Sequence, residues 1–585
     1  MKAGEPTILD LYVDAVSEVG GKVLFGDARS RMTYEQSARR VLNGVKQLRL
    51  QLRLRPGDRV VCYTDSTIPL ALFYLAAGLA RVIAVPMSQI FSSDYLSATC
   101  KQCCARAIFT TPALEPKIRH LGIPVITYGE SATDEPWSPS RPEILNDVPM
   151  PRDEMLSSLK NLAARIGLFD SFLIQPTAGS GGNPKLVLRN FAALSRYAHY
   201  VGDQIAHGNS SPRSILLATA FTHAFAVHMF AVALRFRAEV LVPTELDIRA
   251  SLDEVRTLDP EIITATPRVL RSFLLQNKGS GSRIFGPEAR VVLCAGGRAD
   301  PETFRRLRAE DVEAMEFYGS SEASVIAVTP YRSWSPGCAG IPVSDVSLKF
   351  SKGEILVKTP GMMLGYYGDL ELTRLAFDED GYFKTGDLGE IDSRGYLRIL
   401  GRRREVFNTP EGTNIYPDRI EMMLESVHDS VEHTFVVGDA RPYVTAHLVI
   451  NPSALGAVVP AAPMDEWADS VLIAFGAIDA SSSATPSGIL DSERYADLYR
   501  VVGLAISKMN EDLEIIERVV AFALYATPFD DDVYSVITAG KIHRSRDTFL
   551  ERYRRSVDLL YSRDLPHDSV MLVPPRERRF TVRTR

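Results

Sequence analysis

Two lysines follow glycine-rich segments in distant parts of this chain. Lys185 ends the run Thr177-Ala-Gly-Ser-Gly-Gly-Asn-Pro-Lys, and Lys541 lies in Thr538-Ala-Gly-Lys-Ile-His-Arg544. Backbone amides of a glycine loop can approach phosphate oxygens because no side chain intervenes, and each lysine adds a positive charge. The two lysines therefore predict phosphate chemistry at an interface between domains.

Three further motifs lie in order between these lysines: Tyr318-Gly-Ser-Ser-Glu322, Lys384-Thr-Gly-Asp387 and Gly401-Arg402. Each alone would fit a routine loop, and a lone Gly-Lys would fit an exposed surface lysine. The ordered set resembles the acyl-adenylate-forming (AMP-binding) ligases, which include acyl- and aryl-CoA synthetases, peptide-synthetase adenylation domains and luciferases. The resemblance covers nearly the whole chain.

The resemblance implies that the first glycine loop holds the β- and γ-phosphates of ATP together with Lys185. Its ATP-binding residues would be Thr177, Gly179, Ser180, Gly181 and Gly182. The loop departs from the family pattern at Ala178 and Gly181, where two hydroxyls are lost, which predicts weaker ATP affinity. It is not a Walker A loop, because Lys185 follows a proline and enters a strand-like segment rather than a helix.

The resemblance also assigns roles to the Tyr318 motif. The ring of Tyr318 would stack on adenine beside Gly319, and the Ser321 hydroxyl would meet the α-phosphate. Glu322 would bind Mg²⁺, a hard cation that prefers oxygen ligands and neutralises the pyrophosphate leaving group. Lys185, Glu322 and Lys541 form the predicted catalytic set.

The later motifs imply nucleotide contacts and a moving domain. Asp387 and Arg402 would bind the ribose hydroxyls, and Arg404 would be the hinge. The loop at Gly412 would turn toward the site for thioester formation. Lys541 would bridge the carboxylate and the α-phosphate during adenylation.

The acid pocket is less defined by sequence. The resemblance gives substrate contacts to His223, Phe225, Ala295, Gly296 and Gly297, although a hydrogen-bonded core histidine would explain His223 equally simply. The surrounding segments are small or apolar, which predicts an apolar acyl or aryl acid. Residues 436–446 and 557–561 look most like fatty-acyl ligases, whereas 185–189 look more like aryl-acid activators, so the two signals conflict.

Helical and strand-like segments alternate through the first 400 or so residues, which predicts an α/β fold. A chain of 585 residues is too long for one hydrophobic core. We expect a large N-terminal domain of mixed sheets and helices over 1–403 and a small mobile α+β lid over 404–585. A surface insertion at 465–492 and a frayed tail at 576–585 are also expected.

Composition excludes several classes of protein. With 45% hydrophobic and 24% charged residues and a net charge of -6, the chain is an ordinary globular protein without general affinity for nucleic acid or anionic membranes. The N-terminus lacks a secretory signal pattern, so a cytoplasmic location is expected. The apolar run 68–80 is too short to span a bilayer and predicts a buried helix. Cys100, Cys103 and Cys104 are interpreted as packing thiols rather than a metal site.

The predicted activity is a two-step ligation. A carboxylate attacks the α-phosphate of ATP with Mg²⁺ present, pyrophosphate leaves, and the thiol of coenzyme A then displaces AMP. One alternative acceptor is the phosphopantetheine arm of a separate acyl carrier protein. A second alternative is a noncatalytic adenylate-fold binding protein, and a monomer or a homodimer would fit either reading.

Overall fold

The computed structural model describes residues 5–561 except 90, 129–137, 140–149, 178–184, 207–210, 247–248, 278–279, 298, 300, 409–413, 429, 451–495, 526–528, 530–533, 538–540 and 545. The expected insertion at 465–492 and tail at 576–585 lie outside these residues. The chain divides into two compact units. One comprises Met1–Thr385, Gly389–Ile399 and Ile537–Lys541, and the other comprises Gly386–Leu388, Leu400–Val536 and Ile542–Arg585.

The α-helices are α1 Ile8–Val19, α2 Tyr34–Lys46, α3 Thr67–Ala80, α4 Ser93–Gln102, α5 Glu115–Ile118, α6 Arg152–Ala163, α7 Phe191–Ala206, α8 Ala224–Phe236, α9 Leu252–Leu258, α10 Pro267–Gln276, α11 Pro301–Ala309, α12 Leu370–Ala376, α13 Pro417–Val427, α14 Ala496–Met509, α15 Arg546–Arg552 and α16 Arg554–Leu560.

The strands are β1 Val23–Gly26, β2 Arg31–Thr33, β3 Arg59–Tyr63, β4 Ile83–Met87, β5 Ala107–Thr110, β6 Val125–Thr127, β7 Ser138–Pro139, β8 Ser171–Thr177, β9 Lys185–Asn190, β10 Ser214–Leu217, β11 Glu239–Leu241, β12 Ile262–Ala265, β13 Val291–Cys294, β14 Glu313–Ser320, β15 Ser324–Val328, β16 Ile341–Pro342, β17 Ser347–Ser351, β18 Glu354–Lys358, β19 Gly365–Tyr366, β20 Phe383–Ile391, β21 Leu397–Arg402, β22 Phe407–Asn408, β23 Asn414–Ile415, β24 Val431–Val437, β25 Val444–Ile450, β26 Val519–Tyr525, β27 Tyr534–Ile537 and β28 Lys541–Arg544.

Two large mixed sheets dominate the first unit. One has the strand order β16-β15-β14-β13-β12-β10-β11-β1-β2, and the other has β19-β9-β8-β4-β3-β5-β6-β7. Strands β10 to β14 pair in parallel, as do β3, β4, β5 and β6. A smaller sheet, β17-β18-β20-β21, follows them in the chain. The predicted α/β class with a large multi-sheet N-terminal part is confirmed.

Helix α3 lies entirely in the core of the first unit, with every residue except Ile68 and Pro69 buried. It has no polar face, and a helix that is apolar all round is stable only when covered on every side. The predicted buried helix is thus confirmed. Among the described residues, no helix is long and apolar enough to cross a membrane.

Helix α7 is buried on more than one face near its start. All residues from Phe191 to Ala198 are buried, including Arg196. The guanidinium of Arg196 is fully buried, where Nε donates to the Asp345 carboxylate at 2.9 Å and Nη1 donates to the Val325 carbonyl at 3.0 Å. An ion pair thus replaces the solvent-facing side that periodicity alone predicts.

The second unit has its own core around the sheet β24-β25-β26, which α13 and α14 cover. Glu421 on α13 is fully buried, and its carboxylate accepts two hydrogen bonds from Arg546, at 2.8 and 3.0 Å. The guanidinium also lies over the rings of Phe407 and Phe435. The smaller α+β part of the fold prediction is confirmed.

The cysteines of the 100–104 cluster are free thiols in the described structure. Cys100 and Cys103 are buried among apolar side chains at the end of α4, and Cys104 is exposed. Burial raises the pKa of both Cys100 and Cys103 to about 12, so they remain uncharged thiols near neutral pH.

Candidate functional site

A β-hairpin carries the first glycine loop between strands β8 and β9. Thr177 and Lys185 face each other at the end of the hairpin next to the loop, and the Thr177 hydroxyl donates to the Lys185 carbonyl at 3.4 Å. Lys185 begins a strand, as the sequence predicts. The loop residues between them, Gly179, Ser180, Gly181 and Gly182, lie outside the described residues.

Tyr366 connects two of the predicted catalytic side chains. The Nζ atom of Lys185 lies 5.7 Å from the centroid of the Tyr366 ring, within the range of a cation–π contact. The Tyr366 hydroxyl donates to Oε1 of Glu322 at 3.2 Å. Burial and the nearby Glu322 carboxylate raise the pKa of Tyr366, so the phenol keeps its proton and remains a donor. Sequence analysis did not select Tyr366, because its partners are remote in sequence.

The Tyr318 motif lies at the end of β14, and Ser321 and Glu322 form the following turn. Tyr318, Ser321 and Glu322 are all partly exposed. Gly319 is required by close packing, because a Cβ atom there would lie 2.3 Å from the Ser324 carbonyl oxygen. The glycine thus lets β14 and β15 approach each other beside these three side chains.

Two predicted acid contacts lie at the start of α8. His223 is the N-terminal cap residue of this helix, and Phe225 is in its first turn. Both are largely buried, at 8% and 9% exposure. The ring of Phe225 meets that of Phe317, which precedes Tyr318, edge to face at 5.2 Å. Phe225 therefore lies beside the predicted adenine motif.

A buried polar cluster lies one helical turn further along α8. Nη2 of Arg189 contacts Nε2 of His228 at 2.6 Å, and the His228 ring stacks on Tyr197 with a centroid distance of 3.7 Å. The Tyr197 hydroxyl lies 3.0 Å from the position of a Cβ at Gly319. Sequence analysis missed Arg189 and His228, because each occurs in a segment otherwise typical of core packing.

The glycine stretch Ala295-Gly296-Gly297 follows β13, which neighbours β14 in the nine-stranded sheet. Ala295 is buried, whereas Gly296 and Gly297 are exposed, and Gly296 has a φ of +89°, which favours glycine. The nearest described neighbours of a Cβ at these two positions belong to Thr266 and Pro267. The proposed acid contact of this stretch remains a prediction.

The predicted ribose residues form an ion pair. Nη1 of Arg402 lies 3.0 Å from Oδ1 of Asp387, and Asp387 is 7% exposed. The predicted hinge residue, Arg404, is exposed and pairs with its neighbour Glu405 at 3.5 Å. Gly412 lies outside the described residues, and Lys541 begins strand β28.

Glu405 is an acid of the second unit with a perturbed pKa. Burial, followed by the nearby Asp418 carboxylate, raises its pKa to about 7. The folded state therefore binds this proton more tightly than the unfolded chain, whose value is near 4.5. The stability that this proton contributes is present at low pH and is lost as pH rises from about 4.5 through 7.

Glu322 could serve as one ligand of a divalent cation. Mg²⁺ commonly takes one or two protein carboxylates together with substrate phosphates and water. Glu322 is partly exposed, and Tyr366 fixes one of its oxygens while the other has no hydrogen bond to a described residue. Among the described residues, no group of three or more His, Cys, Asp and Glu side chains could hold a metal alone, so Glu322 would act with phosphate oxygens.

Comparison with known proteins places this geometry in context. A family model described as "AMP-binding enzyme" matches residues 13–367. A long-chain-fatty-acid–CoA ligase of Mycobacterium bovis is 23% identical over 571 residues, covering 88% of this chain and 90% of the relative. A 2-succinylbenzoate–CoA ligase of Bacillus velezensis is 27% identical over 293 residues, covering 48% of this chain and 58% of the relative.

The fold also matches solved structures. A benzoate CoA ligase from Burkholderia xenovorans has a TM-score of 0.67 at 16% identity, covering 93% of this chain and 99% of that chain. At this identity the match concerns the fold alone. The family model, by contrast, covers more than half of the sequence and includes the β8–β9 hairpin and the Glu322 turn. The chain belongs to the AMP-binding enzyme family.

Proposed function

We propose that this protein is an ATP-dependent acid–thiol ligase that activates an apolar acyl or aryl acid as its adenylate and transfers the acyl group to coenzyme A. The observation that supports the proposal is that Lys185 and Glu322 both contact Tyr366, so the predicted phosphate-binding cation lies near the predicted metal-binding carboxylate. The names of the relatives, fatty-acid and succinylbenzoate CoA ligases, support the same reaction class.

The first half-reaction needs no protein nucleophile. The substrate carboxylate attacks the α-phosphate of ATP, an oxygen–phosphorus bond forms, and pyrophosphate leaves. Lys185 would hold the phosphates that become pyrophosphate, and Lys541 would orient the attacking carboxylate against the α-phosphate. Mg²⁺ bound at Glu322 would neutralise the charge of the leaving group. The protein thus contributes placed charges and orientation.

The second half-reaction replaces AMP by a thiol at the same acyl carbon. We propose that the C-terminal region turns about Arg404 between the two steps, so that Lys541 leaves and the loop at Gly412 serves the thiol. A proline at position 404 would restrict that turn. If Arg404→Pro left both half-reactions at wild-type rates, the hinge role would be wrong.

Pyrophosphate release tests the proposal directly. Purified protein is incubated with ATP and Mg²⁺ across a panel of aliphatic and aromatic acids, with hydroxylamine to trap the adenylate. We expect release with a subset of acids, abolished by Lys541→Ala and retained by Lys160→Ala, which removes an exposed lysine of α6. Supplying coenzyme A or a phosphopantetheinylated carrier protein then identifies the acceptor. If the protein binds ATP but none of the acids leads to release of pyrophosphate, the result would instead support a noncatalytic binding protein.

A further inference from the structure

Arg189 is a buried cation whose bonding capacity is only partly used. Its side chain lies on β9, and the residue is 2% exposed. Nη2 contacts His228, whereas Nη1 is buried and has no hydrogen-bond partner among the described residues. No described carboxylate forms an ion pair with it. A guanidinium that is buried without an anion is costly, so such a group calls for an anionic partner.

The guanidinium of Arg189 is positively charged near neutral pH. Burial lowers the pKa of Arg189 to about 10, which leaves it protonated near neutrality. The His228 ring is kept neutral, because burial and then the charge of Arg189 lower its pKa well below the usual value. A neutral imidazole can accept from Nη2 but cannot balance the charge. Glu322 is close enough to affect the pKa of Arg189, although the two form no ion pair.

The contacts of Arg189 connect it to the predicted acid contacts on α8. Phe225 and His228 are three residues apart on α8 and so lie on one face of the helix. Phe225 is the predicted acid contact, and it connects through the rings of Phe317 and Tyr197 to His228. Arg189 therefore contacts α8 at His228, one helical turn from Phe225, at the end of a row of aromatic rings.

We propose that Arg189 binds an anionic oxygen at the far end of the substrate acid, which makes that acid an aliphatic or aromatic compound with a second carboxylate. This inference rests on the proposed function, whose apolar acid it refines. The row of aromatic rings accommodates the apolar body of the acid, and Nη1 supplies the single charge at its end. A guanidinium matches the geometry of both carboxylates and phosphates, and of these two the carboxylate is the one that an organic acid carries.

Matched pairs of acids test the inference. Hexanoate is compared with adipate, octanoate with suberate, and benzoate with terephthalate. Two quantities are measured for each: kcat/KM for pyrophosphate release with ATP and Mg²⁺, and the affinity of the acid by calorimetry with AMP present. In at least one pair, we expect wild-type protein to show a kcat/KM and an affinity for the dicarboxylic acid that are about tenfold or more above those for the monocarboxylic acid. This is the size expected for a hydrogen bond to a charged group in a buried site.

Variants at position 189 assign the preference. Arg189→Met keeps the length of the side chain without its charge, and it should lower the ratio of dicarboxylic to monocarboxylic acid by about 10- to 100-fold. Arg189→Lys keeps the positive charge but lacks the planar guanidinium, so it should retain part of the preference for the dicarboxylic acid. An exposed control, Arg152→Met on α6, should leave the ratio unchanged.

The outcomes separate this inference from the proposed function. Wild-type protein that shows no preference within any pair overturns the inference, whether or not Arg189→Met folds. If Arg189→Met lowers kcat/KM for both acids of a pair and leaves their ratio unchanged, the inference is also overturned, since Arg189 would then act through Glu322. If pyrophosphate is released without a preference for dicarboxylic acids, the proposed ligase function still holds. If the protein binds dicarboxylic acids selectively but releases no pyrophosphate, only the ligase function is contradicted.

Discussion

Tyr366→Phe removes one hydroxyl and leaves its ring in place. The lost atom donates to Glu322 at 3.2 Å, while the ring that lies near Lys185 remains. Because Glu322 is the expected Mg²⁺ ligand, the variant should require more Mg²⁺ to reach half of its maximal rate. The KM for the acid should not change, since the hydroxyl would not touch the acyl group.

The size of the effect follows from the environment of this hydrogen bond. A hydrogen bond to a charged group contributes about 1.5–3 kcal/mol when water cannot replace the lost partner. Glu322 is partly exposed, so water can replace part of that interaction. We expect about 1 kcal/mol, or about a fivefold rise in the Mg²⁺ concentration for half-maximal rate. Tyr366→Leu should have a larger effect, since it also removes a cation–π contact of about 0.5–1 kcal/mol.

The adjacent residue provides a matched control. Tyr367 follows Tyr366 in the chain, but its ring lies 5.7 Å from the guanidinium of Arg59 instead. Pyrophosphate release is measured over a Mg²⁺ titration for wild type, Tyr366→Phe and Tyr367→Phe, with the melting temperature of each. A rise in Mg²⁺ requirement confined to Tyr366→Phe, at unchanged stability, supports a positioning role. Equal Mg²⁺ curves for all three proteins would refute the reasoning.

Three other substitutions give separate expectations. Gly319→Ala puts a Cβ against the Ser324 carbonyl, so we expect lower stability and a loss of ATP-dependent pyrophosphate release, with the melting temperature and the release assay as readouts. Glu421→Gln removes the buried carboxylate that pairs with Arg546, which then keeps only its longer 3.7 Å ion pair with Asp418, and it should lower the free energy of unfolding by about 3 kcal/mol in urea titrations. Glu405→Gln should stabilise the protein at pH 8 relative to wild type and have little effect at pH 4, because only the higher pH ionises the partly buried Glu405; a pH-independent difference in melting temperature would contradict this.

Sequence patterns predicted those features that depend on neighbours in the chain. The apolar run of α3 predicts its burial, and the residues after Lys185 predict a strand, because periodicity and local turn chemistry control both. Arg196 shows where the pattern fails. A helix whose polar side chain meets a remote Asp345 can be buried on faces that periodicity assigns to solvent.

The candidate site shows the same division. Lys185 and Glu322 could be selected from motifs, because each lies within a short signature. Tyr366 could not, because it acquires its role only when pairing of β19 with β9 brings it beside Val187, and the same fold brings Glu322 within reach. A tyrosine in the segment Gly365–Tyr366 carries no signal of this contact.

Strand β9 itself relates the two cations of the site. Leu186 and Leu188 pack into one hydrophobic cluster, so the alternate residues Lys185, Val187 and Arg189 occupy the opposite face. Four residues of strand separate the two basic positions by about 13 Å at about 3.3 Å per residue. Lys185 stands at the end that adjoins the phosphate loop, and Arg189 at the end that adjoins α8. Two cations on one face, at such a separation, suit a pair of ligands that is negative at both ends, as ATP and a dicarboxylic acid bound next to each other would be.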